Sequence, residues 1–207
     1  MRLRHRGNVK RAPLWLFVFS LVACAPPRYY TLAVQSPRHR EAAPGAPVSV
    51  AEVILPPGLD RLSLTRFRSR THVLVSAGAR WVSSPRKLCR EVLAEDLAQR
   101  LSETVVLLPG EPVSGDLRAL RIVIDRFVAT KSHQILLRAH WSVSGLAAAN
   151  GSARIIFDGS ISTTTEARVM SRALARLSSV IGWRLAQASR NVAPATPALP
   201  PPHDTVF

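Results

Sequence analysis

Cysteine, lysine and acid are all scarce in this chain, and each shortage excludes something. Only Cys24 and Cys89 occur among 207 residues. That is too few for a disulfide framework, and no Cys/His cluster has the spacing of structural zinc. Acidic residues number 13 against 28 Lys and Arg, a formal net charge of +15, so acidic partners must be weighed. Lys10, Lys87 and Lys131 are the only lysines and arginine supplies the other 25 cations, a bias that genome composition produces as readily as selection. No second long apolar run follows the N-terminal one, which excludes a polytopic membrane protein. With 47% hydrophobic and 20% charged residues, the chain is neither wholly disordered nor collagen-like. What remains is one basic domain of ordinary size with something attached at its front.

That front end is informative. Residues 1–11 carry Arg2, Arg4, Arg6, Lys10 and Arg11 without one acid, and Ala12–Ala23 are mostly apolar up to Cys24. A basic stretch before a short apolar one is the layout of a secretory signal, too short to span a bilayer comfortably. Leu21-Val22-Ala23-Cys24 resembles the bacterial lipobox. The resemblance implies cleavage before Cys24, a diacylglycerol thioether on its sulfur and acylation of the new amino group. A thiol is required there because a thioether is the bond formed. Each buried acyl CH₂ contributes roughly 0.8 kcal/mol, so several chains on one residue anchor it durably. Ala25 rather than Asp follows the cysteine, which by the same resemblance implies the periplasmic face of an outer membrane. Without residues 1–23 the chain keeps 23 cations and 13 acids, a formal +10. Nucleic acid would ordinarily lead the partners of such a chain. An exported, anchored protein has little access to it, so outer-membrane lipids with anionic head groups are the better expectation.

The organisation divides into a signal at 1–23, a lipidated N-terminus and tether at 24–47, a single domain at 48–190 and a disordered Pro-rich tail at 191–207. Within the domain three segments alternate as half-buried strands do. Leu120, Ile122 and Ile124 face one way, with Arg121, Val123, Asp125 and Phe127 opposite. Ile135, Leu137, Ala139, Trp141 and Val143 form the second set, and Ala153, Ile155, Phe157 and Ile161 the third. Asn150-Gly151 suits a tight turn between the last two, and the three together predict an antiparallel meander. Val48–Leu55, Thr71–Ala77 and Val105–Leu108 are further strand candidates. Two segments have helical period. Ser84-Pro85 caps and opens the first, whose stripe is Leu88, Val92, Leu93, Leu97 and Leu101. Thr163 and Glu166 fit a capping box for the second, with Met170, Ala173, Leu174, Leu177, Val180, Ile181 and Leu185 as its stripe. Two amphipathic helices and a sheet with one apolar face predict an α+β fold, an antiparallel sheet packed on two helices as a two-layer sandwich.

Catalytic patterns are lacking. His39, His72, His133 and His140 show no metal-ligand spacing, and neither GxSxG nor a phosphate-cradling glycine loop occurs. Cys89 falls on or beside an apolar stripe, the setting of an inert buried thiol. No enzyme activity, metal or cofactor is expected. One stretch is conspicuous for charge: Arg61 to Arg90 holds eight cations and no acid. It reads either as a solvated face or as a contact for anionic lipid or an acidic partner, with Arg61, Arg66, Arg68, Arg70 and Arg80 as candidates. Trp81 is either part of that contact or a core residue at the strand–helix junction.

Several motifs in order carry a family resemblance. Tyr29-Tyr30-Thr31-Leu32 behind the lipobox, Val50-Ala51-Glu52-Val53-Ile54-Leu55-Pro56, Arg80-Trp81-Val82-Ser83-Ser84-Pro85, the strand Leu120–Phe127 and His140-Trp141-Ser142-Val143 are similar to PqiC, the ABC-type transport auxiliary lipoproteins. The resemblance covers about Tyr29 to Ala188. It implies a non-enzymatic adaptor that anchors at the outer membrane and docks the periplasmic MCE-domain protein of an intermembrane lipid transport system, with self-association as a homo-oligomer. The competing reading is an envelope lipoprotein acting in secretion or assembly, similar to the N-terminal domain of TolB.

Overall fold

The computed structural model describes residues 26–67, 72–112, 115–129, 134–158 and 163–192. The expected signal peptide, Cys24, Ile161 and residues 193–207 lie outside that set. Along the chain run β1 (Arg28–Tyr30), β2 (Glu41–Ala42), β3 (Val48–Ile54), β4 (Ser63–Phe67) and β5 (Val73–Trp81). Then come α1 (Pro85–Arg100), β6 (Leu101–Ser102), β7 (Val106–Leu107), β8 (Arg118–Ala129), β9 (Gln134–Val143), β10 (Gly151–Asp158) and α2 (Thr163–Val192). This is the expected α+β architecture, helices packed on a largely antiparallel sheet.

The meander is where the alternation places it. β8, β9 and β10 pair antiparallel in sequence, and Leu120, Ile122, Ile135 and Leu137 are wholly buried. Two local details differ. Phe127, expected on the outer face, is buried, because the β8–β9 register shifts between Ile124 and Arg126 and an extra residue reverses the parity beyond it. The β9–β10 connection is also longer than a two-residue turn. It runs from Ser144 to Asn150 through a 3₁₀ turn at Ala147–Ala149, and Asn150 Oδ1 accepts from the Val143 N–H at 2.7 Å. Gly151 then opens β10 against the Trp141 ring, where a Cβ would lie 2.7 Å from Cζ2. The ring is fixed there by its Nε1–H, which donates to the Ala149 carbonyl at 2.9 Å.

The five-stranded sheet is mixed, in the order β10-β9-β8-β3-β7, with β3 parallel to both neighbours. Apolar content placed β3 as a strand, but parallel pairing has no sequence-local signal. Between Val50 and Glu52 its register against β8 slips by one residue. The guanidinium of Arg90 answers that irregularity, its Nε donating to the Val50 carbonyl at 2.8 Å.

Both helices cover one face of this sheet. Ser84 caps α1, its Oγ accepting from the Lys87 N–H at 3.3 Å with Pro85 in the first turn. Leu88, Val92, Leu93 and Leu97 are buried, as are Ala173, Leu174, Leu177, Ile181 and Leu185 of α2. The helices pack on each other, α1 lies on β3 and α2 on β10 and β9. α2 starts at Thr163 as expected, while the Thr163 side chain lies outside the description.

Residues 35–47, expected as a loop or tether, lie against the body instead. β2 pairs in parallel with β6, and Ala43 is buried. Just before it, the Ala33 N–H donates to Ser171 Oγ at 3.0 Å and the Gln35 N–H to Asp96 Oδ1 at 2.9 Å. Two helices therefore hold this segment through side chains, a form of attachment that composition does not reveal.

Candidate interaction surface

A second, three-stranded sheet, in the order β1-β5-β4, gathers much of the basic run. β1 runs parallel to β5 with Tyr29 opposite Arg80 and Tyr30 opposite Trp81. β4 and β5 form an antiparallel hairpin whose register is interrupted. From Thr65↔Val75 to Ser63↔Arg80, β4 advances two residues and β5 five. The surplus on β5 includes Ser76 and Gly78, and Ser76 Oγ accepts from the Ala79 N–H at 3.0 Å. Bulges of this kind bend the strand that carries them.

The exposure of β5 changes across that interruption. Ala79 and Trp81 are buried, whereas Val73, Leu74 and Val75 are 39, 43 and 51% exposed in succession. Consecutive strand residues point to opposite faces, so this part of the hairpin is uncovered on both. Tyr29 is 60% exposed on β1, and Leu62 and Val82 are exposed nearby in sequence. Apolar residues grouped in this way mark contact surfaces more often than singly scattered ones do.

The predicted site residues are distributed unevenly. Arg61 and Arg80 are exposed on or beside this sheet. Arg66 lies on β4 opposite Leu74, its side chain outside the description, as are Arg68 and Arg70 altogether. Trp81 is buried at 5% exposure, its backbone N–H donating to the Leu62 carbonyl at 2.6 Å, so it belongs to the core rather than to the exposed surface. The rest of the run is largely committed elsewhere. Arg86 pairs with Asp60 at 2.6 Å and Lys87 approaches Glu91 at 3.9 Å, acids lying just beyond the ends of the acid-free stretch. Arg90 is occupied by Val50. The exposed apolar residues of the hairpin were missed, because Val73, Leu74 and Val75 look in sequence like ordinary core.

Groups able to do covalent chemistry are poorly placed. Burial, and then the charge of Asp60, push the Cys89 thiol up to about 12, so it carries no thiolate at neutral pH. His140 Nδ1 lies 3.3 Å from Asp125 Oδ2, which also faces Arg138 Nε at 3.5 Å, an exposed charged cluster. Among the described residues no group of His, Cys, Asp and Glu could hold a metal ion. The cavity beside Trp81, lined by Leu32, Leu59 and Met170, measures about 20 Å³, room for a single water and not for an acyl chain. Among the described residues no helix is long and apolar enough to cross a membrane.

Comparison with known proteins gives one family and solved structures of the same fold. The family described as "ABC-type transport auxiliary lipoprotein component" matches residues 30–182. The crystal structure of a Xanthomonas campestris protein assigned to the family DUF330 superposes with a TM-score of 0.59 at 16% identity, over 79% of this chain and 98% of that one. A crystal structure described only as an uncharacterized protein gives a TM-score of 0.58 at 14% identity, covering 78% and 99%. These likenesses establish a shared fold. No curated protein matches the chain.

Proposed function

Since this chain belongs to the ABC-type transport auxiliary lipoprotein component family, we propose that it is a PqiC-like member, anchored through lipid on Cys24 to the periplasmic face of the outer membrane. There it serves an intermembrane lipid transport system without performing chemistry itself, and docks that system's periplasmic MCE-domain protein. The observation that supports a membrane-facing role is the distance from anchor to sheet. Cys24 stands four residues before Arg28, which pairs with Ala79 of β5. Four residues reach roughly 14 Å at full extension, so a lipid on Cys24 keeps the β1-β5-β4 sheet close to the bilayer. That sheet presents exposed Tyr29, Val73, Leu74, Val75 and Arg80, with exposed Arg61 just before β4. Apolar side chains entering the interface, with guanidiniums at the level of anionic head groups, are the composition of an interfacial contact. On this reading the surfaces away from that sheet remain available to the MCE protein.

The test is purification from membranes. The wild-type chain should co-purify with an MCE-domain protein in the outer-membrane fraction, and Cys24→Ser should accumulate as an unprocessed precursor without lipid label. Normally processed, membrane-bound Cys24→Ser protein would remove the anchor from the proposal. Repeated recovery of secretion or cell-wall partners alone would transfer the chain to the assembly-factor reading.

A further inference from the structure

Away from the hairpin, one open pocket of about 380 Å³ has four arginines in its lining. Arg38, Arg100, Arg172 and Arg176 line it, with Phe157 and Glu41 among the remaining walls. They come from three parts of the chain: the segment after β1, the last residue of α1, and successive turns of α2. Such a grouping is costly unless something compensates it. Arg172 and Arg176 are four apart on one helix, a spacing at which like charges repel. Among the described residues none of the four has an ion-pair partner, and Glu41 is the one carboxylate in the lining against them.

Arg100 gives the second, independent indication. The residue is 8% exposed, Nη2 donates weakly to the Ala175 carbonyl at 3.4 Å, and Nε has no acceptor. A buried guanidinium with an unused N–H is poorly compensated, and Arg100 is itself among the residues lining the pocket. The carboxylates facing Arg100 are Asp96 and Glu41, while Arg176 opposes it with like charge. Asp96 accepts from the Gln35 N–H through Oδ1 alone, and its Oδ2 has no hydrogen-bond partner. Arg172 is pre-positioned, its guanidinium 5.7 Å from the Phe157 ring centroid, a contact that orients the charge without consuming its N–H groups.

We propose that this pocket binds a phosphate group, with Arg100, Arg172 and Arg176 as its donors. A phosphate offers more acceptor oxygens than a carboxylate to forked donors arriving from several directions. The volume exceeds what the anion alone needs, and Phe157 provides an apolar wall for an ester substituent. The phosphate comes from a lipid head group or from a soluble phosphate. This assignment does not depend on the transport reading, since it involves neither Cys24 nor the hairpin.

The experiment titrates the full-length protein with inorganic phosphate and, separately, with dihexanoyl phosphatidic acid below its micelle concentration, using calorimetry. Dihexanoyl phosphatidylcholine and acetate serve as controls. Saturable binding of phosphate is expected, and the double variant Arg172→Gln, Arg176→Gln should weaken it about tenfold or more. Arg154→Gln, exposed on β10 and outside the pocket, should bind as the parent does, and circular dichroism checks that both variants are folded. Phosphatidic acid binding about tenfold tighter than phosphate assigns the site to a lipid head group, and equal affinities assign it to a soluble phosphate. Absence of saturable binding by the parent, or undiminished binding by the folded double variant, would overturn the proposal. Either of those results leaves the membrane contact of the hairpin standing.

Discussion

The two principal sheets use the same residue types for opposite ends. In the five-stranded sheet Leu120, Ile122, Ile135 and Leu137 are sealed under two helices, whereas in β5 Val73, Leu74 and Val75 stand in solvent. Valine and leucine have the same transfer free energy in both places. The difference lies in what the backbone brings over them. A regular meander offers one continuous face to the helix stripes, while the interrupted register of β4 and β5 carries the outer hairpin beyond any covering layer. Hydrophobicity therefore identifies strands here, and topology decides which of them become core.

The contrast can be broken at its most buried point first. Leu97→Ala or Leu177→Ala, both wholly buried, should lose about 2–5 kcal/mol in chemical denaturation. Leu74→Ala in the hairpin should stay within about 0.5 kcal/mol of the parent. A comparable loss at Leu74 would mean that the hairpin is covered after all.

The next largest effect concerns the joint between the two regions. Asp96 holds Gln35, a few residues beyond β1, and burial raises its carboxyl from 3.8 to about 6, opposed by the Gln35 N–H and the charge of Arg100. The native state therefore binds this proton more tightly than the unfolded chain does. The resulting stability is fully present below about pH 4 and lost as pH rises through about 6, on the order of 2–3 kcal/mol at most. Asp96→Asn keeps an oxygen for Gln35 and should flatten that part of the profile between pH 4 and 7. Denaturation series across this range provide the check, and an unchanged slope would show that Asp96 does not titrate there.

Two smaller effects sharpen the comparison. Gly151→Ala drives a methyl group into the Trp141 ring and should cost about 1–3 kcal/mol, read from the melting temperature. Replacing Val73, Leu74 and Val75 together with Ser should barely change stability. Partitioning of the protein to anionic vesicles should nevertheless fall about tenfold. The remaining binding should weaken with salt as the Debye length shortens toward about 3 Å at 1 M. Equal partitioning to neutral and anionic vesicles would remove the arginines from that contact.

How far the sequence could be read follows the same division. Period was sufficient for α1, α2 and the meander, and the Ser84 cap for the start of α1, because those signals are local. Phe127 was misplaced because a bulge leaves no mark in a pattern of alternation. β4 was not anticipated, since its interest lies in its partner rather than its residues. Of the interaction surface, Arg61 and Arg80 are legible as charge, while Val73–Val75 read as an ordinary strand and Tyr29 only as part of a family motif. The arginine pocket was invisible for a different reason: Arg38, Arg100 and Arg172 are far apart in sequence and meet only through the packing of α2.

The parallel placement of β3 also orders events in time. Its neighbours β7 and β8 both follow it, and its longer pairing, with β8, begins at Val48↔Arg118, so Val48–Ile54 must wait some seventy residues for most of its hydrogen bonds. β8, β9 and β10 close against near neighbours and need no such delay. Pulse-labelled hydrogen exchange during refolding should protect the meander before Val48–Ile54. Until β8 arrives, a chain emerging from its N-terminus carries an apolar strand that can pair only at Val48 and Ser49, with β7.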